Sequence, residues 1–248
     1  MQTEAAAGLE ERLLAVMDRK HHWAWPHLTR AGLSRAQLAA HLRHEYQTYV
    51  RDFPVLLARL LGQGPPDEVR RALAENIYEE QTGKLSFGVP HPELFLEMID
   101  GLGLARSAIE GDDLPLAPEA HAYRALLDRR SAAAPWVVGA AVLTIFVEGS
   151  VHERAEMAGR RALPPVDQAI LDHPMVVHYG CPKEKLRLPR AHRMVEGAHR
   201  KDAWRMVLGH VHDPELAERV VDAVEEAHAA WLSYRDGVAR MMGLAREA

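Results

Sequence analysis

The chain has 248 residues, 48% hydrophobic and 26% charged, with a formal net charge of −5. This balance excludes a disordered chain and a basic, nucleic-acid-coating surface, and the length suits a single domain, 1–248, with a core large enough to hide a site. The lone cysteine, Cys181, excludes an internal disulfide framework and a cysteine-rich zinc site; no basic leader precedes an apolar stretch and no apolar run reaches the roughly 20 residues of a span, so the expected location is the cytoplasm, without a membrane partner.

Apolar residues recur at three- and four-residue spacing through most of the chain, and alternating strand patterns are absent, so the expected fold is all-α. The spacing predicts helices near 4–20, 34–61, 67–81, 92–102, 118–130, 134–160, 187–211 and 214–244. Ser34 with Gln37 has the form of a capping box, Pro66-Asp67 opens a helix, and Asp213 precedes a helix with Pro214 at its first position. Gly62 and Gly64, then Gly101 and Gly103, follow apolar segments where a left-handed residue ends a helix. Two stretches break the pattern: the Gly- and Pro-bounded loop Thr82 to Pro90, and Asp172 to Pro189 with its three prolines, Gly180 and Cys181.

Chemistry gathers on the predicted helices. His192, Glu196 and His199 stand at i, i+4 and i+7, within about 60° of one another on one helix face, where one metal ion reaches all three; a solvated helix face is the plainer alternative. Glu148 ends the run Trp136 to Val147, apolar around its whole circumference, and a helix of that kind is buried. A buried carboxylate costs several kcal/mol unless it is protonated, ion-paired or bound to a metal, so the choice lies between an arginine partner and a cation. His152, one turn on, suits a supporting role. Glu45 lies among His41, His44, Tyr46 and Tyr49 rather than on a uniformly polar face. Glu80 ends one helix and His91 opens the next, so a short loop brings them together. Four carboxylates and three histidines facing one core suit iron or manganese.

In order and context these residues resemble the haem-oxygenase-like diiron oxidases, relatives in fold of the TenA thiaminases and the PqqC cofactor oxidase. That family carries a Glu on an early helix, a Glu ending the next helix in an Asn-x-x-Glu-Glu context, a His after a loop, a Glu on a long central helix, and a late His-x-x-x-Asp-x-x-His set. The corresponding positions here are Glu45, Glu80, His91, Glu148, His192, Glu196 and His199, over roughly residues 20 to 240. The resemblance implies a haem-oxygenase-like helical bundle, two Fe(II) ions, and oxygen-dependent oxidation of a small amino acid, amine or fatty acid in biosynthesis, with a homodimer allowed by fold analogy and nucleic acid not among the partners. Departures are Glu196 where the family has Asp, Glu79 as an alternative to Glu80, a longer segment between Glu148 and His192, and an extra carboxylate at Asp202. Rival readings are a ferritin-like site from Glu196-x-x-His199 and Glu225-x-x-His228, and a metal-free TenA- or PqqC-like enzyme or small-molecule binding module.

Overall fold

The computed structural model describes residues 2–246, with side chains described outside 2–7 and 195–199. Its architecture is all-α, and the described residues contain no strand. The main helices are α1 (Gln2–Met17), α2 (Arg35–Glu45), α3 (Phe53–Gly62), α4 (Asp67–Thr82), α5 (His91–Gly101), α6 (Pro118–Ala132), α7 (Trp136–Ala140), α8 (Arg187–Leu208) and α9 (Pro214–Met241). Shorter helical turns fill the connections, including four between Glu153 and Lys185.

Local chemistry sets the boundaries. Ser34 accepts a hydrogen bond from the Gln37 amide at 3.2 Å while Gln37 accepts from the Ser34 amide at 2.9 Å, the reciprocal capping box expected of that pair. Asp213 accepts from the Leu216 amide at 2.8 Å and starts α9. Gly64 and Gly103 adopt the left-handed conformation, whereas Gly62 and Gly101 remain the last helical residues.

Two predicted long helices are interrupted. The 34–61 segment passes from α2 into a π-helical stretch, Tyr46–Val50, and breaks before α3, where Pro54 lacks an amide and its ring would crowd the preceding turn. The 134–160 segment passes from α7 into a second π-helical stretch, Ala141–Val147, and then turns at Gly149, well short of 160. A π turn admits an extra residue and re-aims the side chains beyond it, a device common at functional sites. Here the stretches follow Glu45 and precede Glu148.

Burial divides the apolar side chains into two clusters. The larger joins α1, α3, α6, α7 and α9 around Leu56, Leu57, Leu143, Phe146 and Tyr234; the smaller joins α2 and α5 to the 170–191 region around Leu94, Ile99 and Leu186. Gly139 lets α7 lie against its neighbours, because a Cβ there would stand 2.2 Å from the Arg130 carbonyl oxygen. No helix among the described residues is long and apolar enough to cross a membrane.

Candidate metal centre

The two apolar clusters meet at a cavity of about 170 Å³. Tyr49, Phe53 and Val147 line it from the larger cluster, Val50 and Leu188 from the smaller, and Glu80, His91, Glu148 and His192 supply its polar wall. One ligand atom from each of Glu80, His91 and His192 lies within 4.8 Å of the others, a separation one cation spans.

His91 is the best-defined member. It is 2% exposed and begins α5 at the end of the loop from α4. Its Nε2 lies 3.1 Å from Glu79 Oε1. Its Nδ1 lies 2.9 Å from Glu80 Oε1, within ion-pair distance. The imidazole ring stands 5.2 Å from that of His192. Burial disfavours the imidazolium, but Glu80 and Glu79 outweigh it and raise the His91 pKa.

The pair Glu79 and Glu80 divides the work. Glu79 is fully buried, accepting from the Leu85 amide at 2.7 Å and from the Ser86 hydroxyl as well as facing His91. Burial opposes its charge, yet these donors hold its carboxyl below the ordinary carboxylate range. Glu80 instead faces the cavity with His91 and His192. Three residues upstream of Glu79, Asn76 donates from Nδ2 to Glu148 Oε1 at 3.1 Å. Thus Asn76, Glu79 and Glu80, at i, i+3 and i+4 of α4, serve Glu148, His91 and the cavity respectively.

Gly83 makes this possible. It ends α4 at φ 61°, its amide donates to the Glu79 carbonyl at 2.6 Å, and a Cβ there would stand 2.0 Å from the Val89 carbonyl oxygen. Gly83→Ala is therefore expected to push the loop off Glu79 and lower stability by about 1–3 kcal/mol, measured by urea denaturation of the metal-free protein, with weakened metal retention in parallel.

The remaining sequence candidates fall elsewhere. Glu45 faces the interior as expected but is not brought to this group: Arg235 holds both its oxygens, with Tyr234 and Tyr49 donating their hydroxyls to it. Glu45 is thus engaged in an ion pair in this structure. Glu196 and His199 lie on α8 outside the residues whose side chains are described. His152 is exposed, and Asp202 pairs with Arg205 at 2.5 Å. The ferritin-like alternative does not assemble around His228, which is buried rather than surface-covering and donates from Nε2 to the Arg19 carbonyl at 2.9 Å. Cys181 is buried, and burial pushes its thiol up to about 11, which suppresses the thiolate a nucleophile requires.

Sequence reasoning missed Glu153, which is 1% exposed, accepts from Trp204 Nε1 at 2.9 Å and pairs with Arg200 at 3.2 Å. Its polar surroundings in the sequence resemble a surface turn. It also missed Lys20 and Arg235, which stand on segments of mixed polarity.

A family model described as "iron-containing redox enzyme" matches residues 39–232. The chain belongs to this family of iron-containing redox enzymes. Membership makes it an oxidoreductase in general terms and makes iron the metal that the Glu and His set suits. Among solved structures, a TenA homologue from Pseudomonas syringae pv. tomato str. DC3000 superposes with a TM-score of 0.67 over 97% of this chain and 93% of that one, at 14% identity. That similarity supports the shared TenA-like, haem-oxygenase-like fold. No curated protein matches the sequence.

Proposed function

We propose that this protein is a non-haem diiron, oxygen-dependent oxidase of a small organic molecule. The observation that carries the reading is the convergence of Glu80, the buried His91 and His192, one ligand atom of each within 4.8 Å of the others, while His91 Nε2 is held by Glu79. A histidine anchored at one nitrogen by a carboxylate presents the lone pair of the other, the arrangement found at metal-ligating histidines. The donors in the cavity are carboxylate oxygens and imidazoles, which fit ferrous iron.

In this reading Glu80, His91, Glu148 and His192 hold iron, and the resemblance adds Glu196 and His199 one and two turns further along α8. Bound iron supplies the electrons that reduce oxygen. The protein's part is positional. Glu79 keeps the His91 ring turned and its Nε2 proton in place, and Asn76 holds one oxygen of Glu148. Phe53, Val147 and Leu188 line the cavity with apolar surface and keep water from reactive species.

The experiment is iron stoichiometry after anaerobic Fe(II) loading, followed by admission of oxygen under visible spectroscopy. About two irons per chain and an oxygen-dependent absorption change are expected; a protein that retains no iron overturns the reading in favour of a metal-free enzyme. Glu79→Gln removes the anchoring charge without removing a ligand, so its iron affinity is expected to fall by about 10- to 100-fold, read by competition with a chelator of known strength.

A further inference from the structure

Beside the candidate metal centre lies a second cavity of about 270 Å³, sharing Tyr49 and Val147 with the first. Its other lining residues include Lys20, Arg235, Tyr123, Trp25 and Trp231. The two charged side chains that line it are cations, and no carboxylate is among the lining residues. Lys20 donates to the carbonyls of Phe146, Val147 and Gly149, and no carboxylate among the described residues is its hydrogen-bond partner. Arg235 is matched by Glu45. Glu153, Glu45 and Glu148 act on Lys20 electrostatically from outside the cavity lining.

One buried polar atom here has no hydrogen-bond partner among the described residues. Arg235, 6% exposed, leaves its Nε without a hydrogen bond, its guanidinium lying 4.8 Å from the Trp25 ring centroid and 5.3 Å from that of Trp231. Tyr123, 1% exposed and stacked on Tyr234 at 5.3 Å, lines the cavity beside it. Buried polar groups are ordinarily satisfied, and a donor left over beside two cations in an aromatic cavity suits an anionic organic ligand.

We propose that this cavity binds the carboxylate end of an aromatic or apolar acid, with Tyr123 and Arg235 as its donors and Lys20 as the balancing charge, and directs the rest of the molecule past Tyr49 toward Glu80, His91 and His192. The proposal rests on the oxidase reading for the fate of that molecule, but the acid's anchorage does not depend on iron. It places the carboxylate away from the metal ligands, so the acid group orients the substrate rather than occupying a coordination position. The charge of Lys20 is consistent with it: burial, and then the neighbouring Arg235, lower this ammonium to about 7 against the opposing pull of Glu153, Glu45 and Glu148, and an anion in the cavity adds to that pull.

Quenching of tryptophan fluorescence reads the cavity directly, because Trp25 and Trp231 line it. The probes are 3-phenylpropionate, its amide and 3-phenylpropylamine, titrated against the full-length protein in iron-loaded and chelator-treated forms. The acid is expected to bind about tenfold tighter than the amide or the amine in both forms. Tyr123→Phe and Lys20→Met are each expected to cut affinity for the acid by about fivefold while leaving that for the amide unchanged. Should Lys20→Met fail to fold, Tyr123→Phe and the acid-to-amide ratio of the unmodified protein carry the test.

Equal binding of acid and amide overturns the proposal. So does absence of saturable quenching by the acid up to about 10 mM, or a preference seen only with iron, which would put the carboxylate on the metal. A preference that persists in a protein retaining no iron upholds the anchorage and overturns only the oxidase reading. Iron retention without the preference does the reverse.

Discussion

Alanine at His91 is expected to strip the protein of iron while leaving its helical fold in place. The side chain offers Nδ1 to Glu80 and His192, and its Nε2 is fixed by Glu79. Losing it removes a ligand and leaves two adjacent carboxylates facing a void. The loss of affinity should exceed the about 10- to 100-fold expected of Glu79→Gln, which weakens only the support. Oxygen-dependent turnover should disappear with the metal. Iron content after anaerobic loading and desalting, with circular dichroism on the same sample, tests this. Full retention of iron by His91→Ala would remove His91 from the metal centre. His91→Gln gives a useful contrast: its amide fills much of the volume and still meets Glu79, so its stability should lie near that of the parent while iron binding remains weak. A stability loss without an iron loss would mark His91 as a packing residue.

The pattern of what the sequence revealed has a physical basis. Burial of the run before Glu148 was legible because an apolar run with no polar face has nowhere to go but the core, and the structure buries Ala140, Ala141, Val142, Leu143 and Phe146 completely, whereas Glu148 itself, just past the run, is half-buried. Glu80 and His91 were legible as a pair because a loop ending in Gly83 and Pro90 has little reach. The division between Glu79 and Glu80 was not, because adjacent residues on a helix differ by about 100° in direction and the phase of α4 depends on the packing of the whole bundle. Glu45 was legible as an interior residue but not as an arginine partner: Arg235 stands 190 positions later, and no local spacing records a pairing over that distance. The π-helical stretches escaped for a related reason, since an added residue in one turn leaves the apolar run around it unchanged. Capping by Ser34 and Asp213 was readable throughout, because those contacts span only three residues.

The Glu45–Arg235 pair carries the second large expected effect. Arg235→Met should destabilise the protein by about 3–5 kcal/mol, because a buried carboxylate is left with two tyrosine donors and no countercharge. Removing both charges with Glu45→Gln and Arg235→Met together should cost less than Arg235→Met alone, since an apolar replacement for a buried pair is often close to neutral. The pH dependence has two windows. Burial opposes the Glu45 charge, but Arg235 prevails and holds the carboxyl down to about 2 against an ordinary 4.5. Its contribution is therefore complete above pH 4.5 and is lost as pH falls from there toward 2, by at most about 1.4 kcal/mol for each step of one in pH. His41 acts earlier: burial, reinforced by Arg235, lowers it to about 4 from 6.5. The unfolded chain takes up that proton first, so stability falls as pH drops from 6.5 to 4. Urea denaturation at pH 7, 5 and 3 separates the two. The double variant should keep most of the loss between 7 and 5 and show a smaller loss between 5 and 3, where the share of Glu45 is gone and those of His41 and Glu79 remain. An unchanged profile below pH 5 would show that the pair contributes little, and the cost of Arg235→Met would then be one of packing against Trp25 and Trp231 rather than of an unmatched charge.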